Sequence, residues 1–300
     1  MRGVHRERAV ERAVVQSGAI RPGECVVVAC SGGPDSVALA AILAAAARRL
    51  KLRLSLAHVN HGVRASAWQD ECVAMRIAAS LGLDLDVVAV PQGDAASEET
   101  LRDRRYEILT GIAVERSASA VVTAHHAEDQ TETVLLALFR GSGPAGLAGM
   151  PSRRSLARGV GLARPLLRVG EADLRYYCHV NGLPYAVDPT NDAGRLRRNA
   201  VRSALQSLRG AFPGLDLAVA RAAEVVGGER THSPRAALRK RVREVIAAEA
   251  SLADVDFEHV ESAVRAMESG RDGRFFIKKG LTLRIERTGR KEKRTARKRR

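Results

Sequence analysis

The 300-residue chain is 45% hydrophobic but only 3% aromatic, so Ala, Val and Leu must build its core, and extensive base-stacking platforms of Phe, Tyr and Trp are excluded. Its 49 Lys and Arg against 34 Asp and Glu give a net charge of +15, of which the last ten residues, KEKRTARKRR, carry +6 and the other 290 carry +9. A positive field spread over body and tail favours a polyanionic partner, nucleic acid first. Cys25, Cys30, Cys72 and Cys178 are too few and too scattered for a disulfide framework, and the absence of a C-x-x-C pair argues against zinc or iron–sulfur ligation. There is no apolar run long enough for a membrane span, and the charged start MRGVHRERAVERAV is unlike a signal peptide, so a cytoplasmic setting without membrane contact is expected.

In chain order, β-branched segments recur at 24–30, 52–60, 85–90 and 120–124, with helical patterns between them at 36–50, 66–81 and 97–116. This alternation predicts an α/β fold, a doubly wound and mostly parallel sheet, with ligands beyond the carboxyl ends of its strands. A helix is expected from about Asp129 to Arg140, then the Gly-rich RGSGPAGLAGM, a basic segment, a helix over 171–181 and the segment DPTNDAGRLRRNAVR at 188–202. Beyond Phe212 the pattern changes to Ala- and charge-rich helices through Glu268, and RFFIKKGLTLRIER alternates like a hairpin turning at Lys279-Gly280. The expected organisation is a catalytic domain at 1–213, a smaller and mainly helical domain with a β-ribbon at 214–288, and a basic disordered tail at 289–300.

The first strand runs into Ser31-Gly32-Gly33-Pro34-Asp35-Ser36 and then into an Ala-rich helix. A strand-to-helix turn of this kind gathers backbone N–H groups, two hydroxyls and a helix N-terminus, which suits a pyrophosphate. A carboxylate beside bound phosphates repels them unless a divalent cation intervenes, so Asp35 implies Mg2+ between protein and triphosphate. Neither the G-x-x-x-x-G-K-S/T lysine loop nor G-x-G-x-x-G spacing is present. An ordinary turn with a capping Asp35 is the competing explanation.

The second strand leads to His58, His61 and Arg64 in AHVNHGVR. TAHHAEDQTETVLL places His125, His126, Glu128, Asp129 and Glu132 where a strand gives way to a helix, with Asp129 and Glu132 on one helix face. Three explanations compete: a metal site of His125, Asp129 and Glu132, simple helix capping, or two carboxylates facing a cationic ligand.

Together, SGGPDS, HVNHGVR, EETLRDRRY (98–106), TAHHAEDQTET, FRGSGPAGLAGM (139–150), RPLL (164–167) and DPTNDAGRLRRNAVR occur in an order that resembles the tRNA(Ile)-lysidine synthetases, members of the N-type ATP pyrophosphatases. The resemblance runs from about residue 24 to 202; the remainder is similar only loosely, to the compact versions of that family. Where the family usually reads H-H-x-D-D-Q, this chain has Glu128 before Asp129, which puts the role of Glu128 in doubt more than that of Asp129.

The resemblance implies ATP-dependent ligation of L-lysine to C2 of the wobble cytidine in the CAU anticodon of tRNA(Ile), through an adenylated tRNA. It implies ATP contacts from Ser31, Gly32, Gly33, Pro34, Asp35, Ser36, His58, Arg102 and Arg105, with Mg2+ on Asp35. Asp129 and Glu132 are implied as the lysine site, with Asp35, His125, Asp129 and Glu132 as the catalytic set. Arg64, Arg140, Asn191, Arg198, Asn199 and Arg202 are implied to meet tRNA. A tRNA 2-thiolation enzyme of the same fold is the nearest alternative, set back by the lack of paired cysteines, and a non-catalytic tRNA-binding protein is more remote. A homodimer is left open.

Overall fold

The computed structural model describes residues 2–60, 67–90, 98–142, 144–157, 159–186, 196–230, 234–249, 257–269, 273–278 and 281–285. In chain order these form α1 (Arg2–Gln16), β1 (Cys25–Ala29), α2 (Pro34–Leu50), β2 (Arg53–Asn60), α3 (Ala67–Leu81), β3 (Leu85–Ala89), α4 (Glu98–Glu115), β4 (Ala120–Val122) and α5 (Ala127–Phe139). There follow α6 (Pro144–Leu147), β5 (Arg153–Ala157), β6 (Val160–Ala163), α7 (Glu171–Val180), α8 (Leu196–Ala211), α9 (Leu215–Arg230), α10 (Pro234–Glu249), α11 (Phe257–Glu268), β7 (Gly273–Lys278) and β8 (Leu281–Ile285).

The six-stranded sheet has the order β3-β2-β1-β4-β6-β5, parallel throughout except for the β5–β6 pair, so the expected α/β sheet is the one found. Two apolar cores lie on its two faces, and β1 divides its residues between them: Val26 and Val28 pack with α1, α2, α3 and α7, whereas Val27 packs with α4. A strand buried on both faces has no polar side, which is why it reads as an unbroken CVVVA. The alanines of α2 let that helix lie close against the sheet, while its fully buried Leu39, Ile42 and Leu43 each contribute roughly 2–3 kcal/mol of apolar burial.

The sequence pattern did not predict α1, α6, α8 or the β5–β6 hairpin. In α1 Val10 and Val14 are turned fully inward, among many charges. The β5–β6 hairpin is built from Arg153–Ala157 and Val160–Ala163, whose arginines and glycines mask a strand; an antiparallel edge rich in Arg is also poorly suited to pairing with another chain. The short α6 lies in the Gly-rich loop.

The chain divides into two compact units, 1–222 and 223–300, at a point inside α9 rather than at Pro213-Gly214, where the composition changes. The second unit has its own small core of Val242, Ile246, Val260, Ala263 and Val264. Its buried Glu261 accepts from Arg239 at 2.5 Å and Arg235 at 2.7 Å, and β7 and β8 form the expected ribbon. The ribbon's turn at Lys279-Gly280 and the basic tail lie outside the described residues. No helix among the described residues is long and apolar enough to cross a membrane.

Candidate active site

Strand order reverses at β1, which pairs β2 on one side and β4 on the other, so the loops leaving β1 and β4 flank the switch point of the sheet. The first loop spans only Cys30 to Gly33. Gly32 holds φ +87°, and a Cβ there would stand 2.7 Å from the Asp70 carbonyl oxygen, so no other residue fits. Ser36 Oγ donates to the Gly33 carbonyl at 2.9 Å and accepts the Ser31 N–H at 3.1 Å, with Ser31 Oγ 3.1 Å away. Pro34 starts α2 directly, and the Gly33 N-cap offers no side chain to its first N–H groups, leaving them available to an anion. His58 is buried and donates from Nδ1 to the Cys30 carbonyl at 2.9 Å, bracing the root of the loop.

The pleat of β4 continues into the second loop. Ala120, Val122 and Ala124 pack on the α2 side of the sheet and Val121 on the α4 side. The same alternation sends Thr123 and His125 toward α4 and His126 toward α2, and the neighbours agree. His125 Nδ1 hydrogen-bonds Thr123 Oγ1 at 2.9 Å; burial prevails over the charge of Asp129 and, with Arg164, Arg105 and Arg102 acting in the same direction as burial, drives its pKa down to about 3. His126 meets acids instead: Nδ1 is 2.9 Å from Glu128, and Nε2 is 3.7 Å from Asp35 and 3.6 Å from Asp129. Burial works against its charge, but the Glu128 bond and the charges of Asp129 and Asp35 prevail and raise its pKa to about 9.

Asp35 rides the first turn of α2, where burial, with Glu171 and Asp129 adding to it against His126, pushes its pKa up to about 6. Its Oδ1 is buried without a hydrogen-bond donor. An orphaned carboxylate oxygen at the mouth of an anion-binding loop fits a hard divalent cation, which would take that oxygen as a ligand. The three-residue metal site of His125, Asp129 and Glu132 does not form: among the described residues no such group of His, Cys, Asp and Glu converges.

Asp129 caps its own helix, accepting the His126 N–H at 3.2 Å; burial alone raises its pKa, but the neighbouring histidines, that bond and Arg198 bring it below the usual value. Glu132 is 3% exposed and already paired, with Arg198 Nε on one oxygen and Arg202 Nε on the other, both at 2.5 Å. The residues assigned to lysine and to tRNA by sequence therefore meet each other across α5 and α8.

A family model described as the PP-loop domain matches residues 4–208. The chain belongs to the PP-loop family. It is 38% identical over 199 residues to the tRNA(Ile)-lysidine synthase of Symbiobacterium thermophilum, covering 64% of this chain and 41% of that one. It is 40% identical over 203 residues to the Ralstonia nicotianae protein of that name, with 66% and 44% covered, and 40% over 230 residues to that of Salinispora arenicola, with 74% and 67% covered. The chain thus spans less than half the length of the first two relatives. Among solved structures, the U34-tRNA thiolase NcsA of Methanococcus maripaludis, with its 4Fe-4S cluster, shares the fold at a TM-score of 0.62 and 18% identity, over 72% of this chain and 77% of that one.

Of the residues assigned from sequence, this PP-loop fold gathers Ser31–Ser36, His125, Asp129, Glu132, Arg198 and Arg202 around the switch point. Arg102 and Arg105 lie with Tyr106 on the α4 side. Arg140 ends α5, roughly 17 Å along the helix from Asp129 at 1.5 Å per residue, and is exposed. His61, Arg64 and Asn191 lie outside the described residues. Two supporting residues were unassigned. Glu128 accepts the Glu171 N–H at 3.0 and 3.1 Å, joining α7 to His126. Gln130 grips Met150 by both backbone groups, at 2.8 and 3.0 Å, and fixes the end of the Gly-rich loop.

Proposed function

We propose that the chain is a tRNA(Ile)-lysidine synthetase: it adenylates the C2 oxygen of the wobble cytidine in a CAU anticodon with ATP, and L-lysine then displaces AMP. One observation carries the reading: His126 lies 3.7 Å from Asp35 and 3.6 Å from Asp129, so the phosphate-side and ammonium-side carboxylates share one histidine. Two consecutive half-reactions on one cytidine carbon require such adjacency.

In this reading the loop N–H groups and α2 N-terminus bind the triphosphate, and Ser31 and Ser36 keep the loop closed. Asp35 would hold Mg2+, which would neutralise polyphosphate charge. His125, kept neutral, presents an imidazole to the reacting centre without adding charge. Asp129 receives the lysine ammonium and takes up its proton as the amine attacks, because an ammonium is not a nucleophile. Glu132, held by Arg198 and Arg202, fixes those guanidiniums beside the acceptor base. The mainly helical C-terminal region contributes tRNA binding, and the reaction belongs in the cytoplasm.

A thiolation enzyme is disfavoured by the cysteines: all four are free, and none joins a metal-holding group among the described residues. The test is pyrophosphate release from ATP and labelled-lysine incorporation, with CAU-anticodon tRNA(Ile) against a methionine tRNA. Lysine incorporation into the first tRNA alone is expected. Sulfur incorporation without lysine would overturn the reading.

A further inference from the structure

The arginines of this protein that serve structure come with acids. Arg153 pairs with Glu24 at 2.7 Å, Arg116 with Asp84 and Asp86 at 2.6 and 2.9 Å, and Arg235 and Arg239 with Glu261. One cluster breaks this pattern. The guanidiniums of Arg102, Arg105 and Arg154 stand 5.7, 5.5 and 5.7 Å from the centre of the Tyr106 ring. Burial opposes ionisation of the phenol, but Arg105, Arg164 and Arg102 prevail and hold its pKa below the usual value, so Arg164 belongs to the same cluster. None of the four pairs with a carboxylate among the described residues.

The cluster has a buried floor and an open rim. Arg164 is 2% exposed and Tyr106 7%, whereas Arg102 and Arg154 are exposed. The Nε atoms of Arg105 and Arg164 are buried without an acceptor. Arg164 donates to the Pro151 carbonyl at 3.1 Å, which fixes it without neutralising it. Burying a guanidinium beside three others without a counter-ion is costly, and the cost is recovered only when an anion enters. The residues come from the start of α4, the start of β5 and the end of β6, all beyond the carboxyl end of β4, and His125 projects toward them.

We propose that Arg102, Arg105, Arg154 and Arg164, gathered around Tyr106, bind a backbone phosphodiester of the RNA substrate next to the reacting base. This rests on the reading of the chain as an RNA-modifying enzyme, and it reassigns Arg102 and Arg105 from ATP to RNA. The polyphosphate has its own cradle on the other side of β4, in the loop that carries Asp35. An exposed arginine rim suits a long polyanion that continues past the pocket, and Arg is the side chain that matches phosphate oxygens in pairs.

The source of the phosphate can be separated by experiment. RNA affinity of the full chain is measured by filter binding over a salt series, and ATP and inorganic pyrophosphate affinity by calorimetry. For Arg154→Glu, RNA affinity should fall about tenfold and the salt slope should flatten by about one phosphate contact, while ATP and pyrophosphate affinity stay within about twofold. Arg154→Lys should keep most of the RNA affinity, which separates charge from misfolding. Loss of ATP or pyrophosphate affinity with RNA affinity intact would overturn the assignment in favour of the leaving group. No change in either would reduce the cluster to a surface feature. Wild-type lysine incorporation is measured in parallel: if it is absent while Arg154→Glu still weakens RNA binding, the lysidine reading fails and the phosphate site stands.

Discussion

Glu128 carries a carboxylate that works in two directions. It accepts the Glu171 N–H at the start of α7 and holds His126 at 2.9 Å. That bond helps keep His126 charged, which makes a pH prediction. The folded pKa of His126, about 9, lies above its unfolded value near 6.5. Its contribution is therefore complete below pH 6.5 and lost as pH rises through about 9, with a ceiling on the order of 3 kcal/mol. Thermal unfolding of the ligand-free protein should show a falling midpoint across that window, and His126→Gln should remove most of the fall; an unchanged profile in the variant would refute it. The roles of Glu128 and Gln130 were illegible in sequence, because their partners, Glu171 and Met150, are 43 and 20 positions away and spacing encodes only local geometry. The SGGPDS loop was legible, because its own serines and glycines close it.

At the scale of elements, the two proposed half-reactions sit on different helices. Asp35 belongs to the first turn of α2 and Asp129 to the first turn of α5. Asp35→Ala should abolish tRNA adenylation, by more than about a hundredfold in pyrophosphate release. Asp129→Asn should raise the apparent KM for lysine at least about tenfold while adenylation survives. The asparagine retains an oxygen for the His126 N–H, so a helix cap worth about 1 kcal/mol is largely kept. Equal loss of both steps in Asp129→Asn would remove the lysine assignment. The strands and helices of this region were legible because β-branched runs and helical periodicity dominate 24–139. The β5–β6 hairpin was not, since Arg153, Arg154, Gly159 and Gly161 carry neither signal, yet β5 supplies Arg154 to the arginine cluster. Likewise, sequence placed Glu132 and Arg198 in separate binding roles, and only tertiary packing of α5 on α8 unites them.

For the whole molecule, a charge of +9 outside the last ten residues predicts that the proposed RNA binding survives loss of the tail. Truncation after Gly289 should weaken tRNA binding and flatten its salt dependence without abolishing either, as measured by filter binding from low to physiological salt. An unchanged slope would take the tail out of the interface. Within the first unit, charge is sorted rather than spread: Asp35, Glu128 and Asp129 gather around His126, and four arginines lie on the side that His125 faces. The divider between them is a single extended strand end, in which Thr123 and His125 share one side and Ala124 and His126 the other. Such a partition obeys parity. Insertion of one residue directly after Val122 would move Thr123 to the α2 side and Ala124 to the α4 side, setting a hydroxyl against the apolar core and leaving the imidazole on the α4 side without its Thr123 Oγ1 partner, whereas insertion of two residues would preserve the sides. The length of that junction is therefore constrained to steps of two.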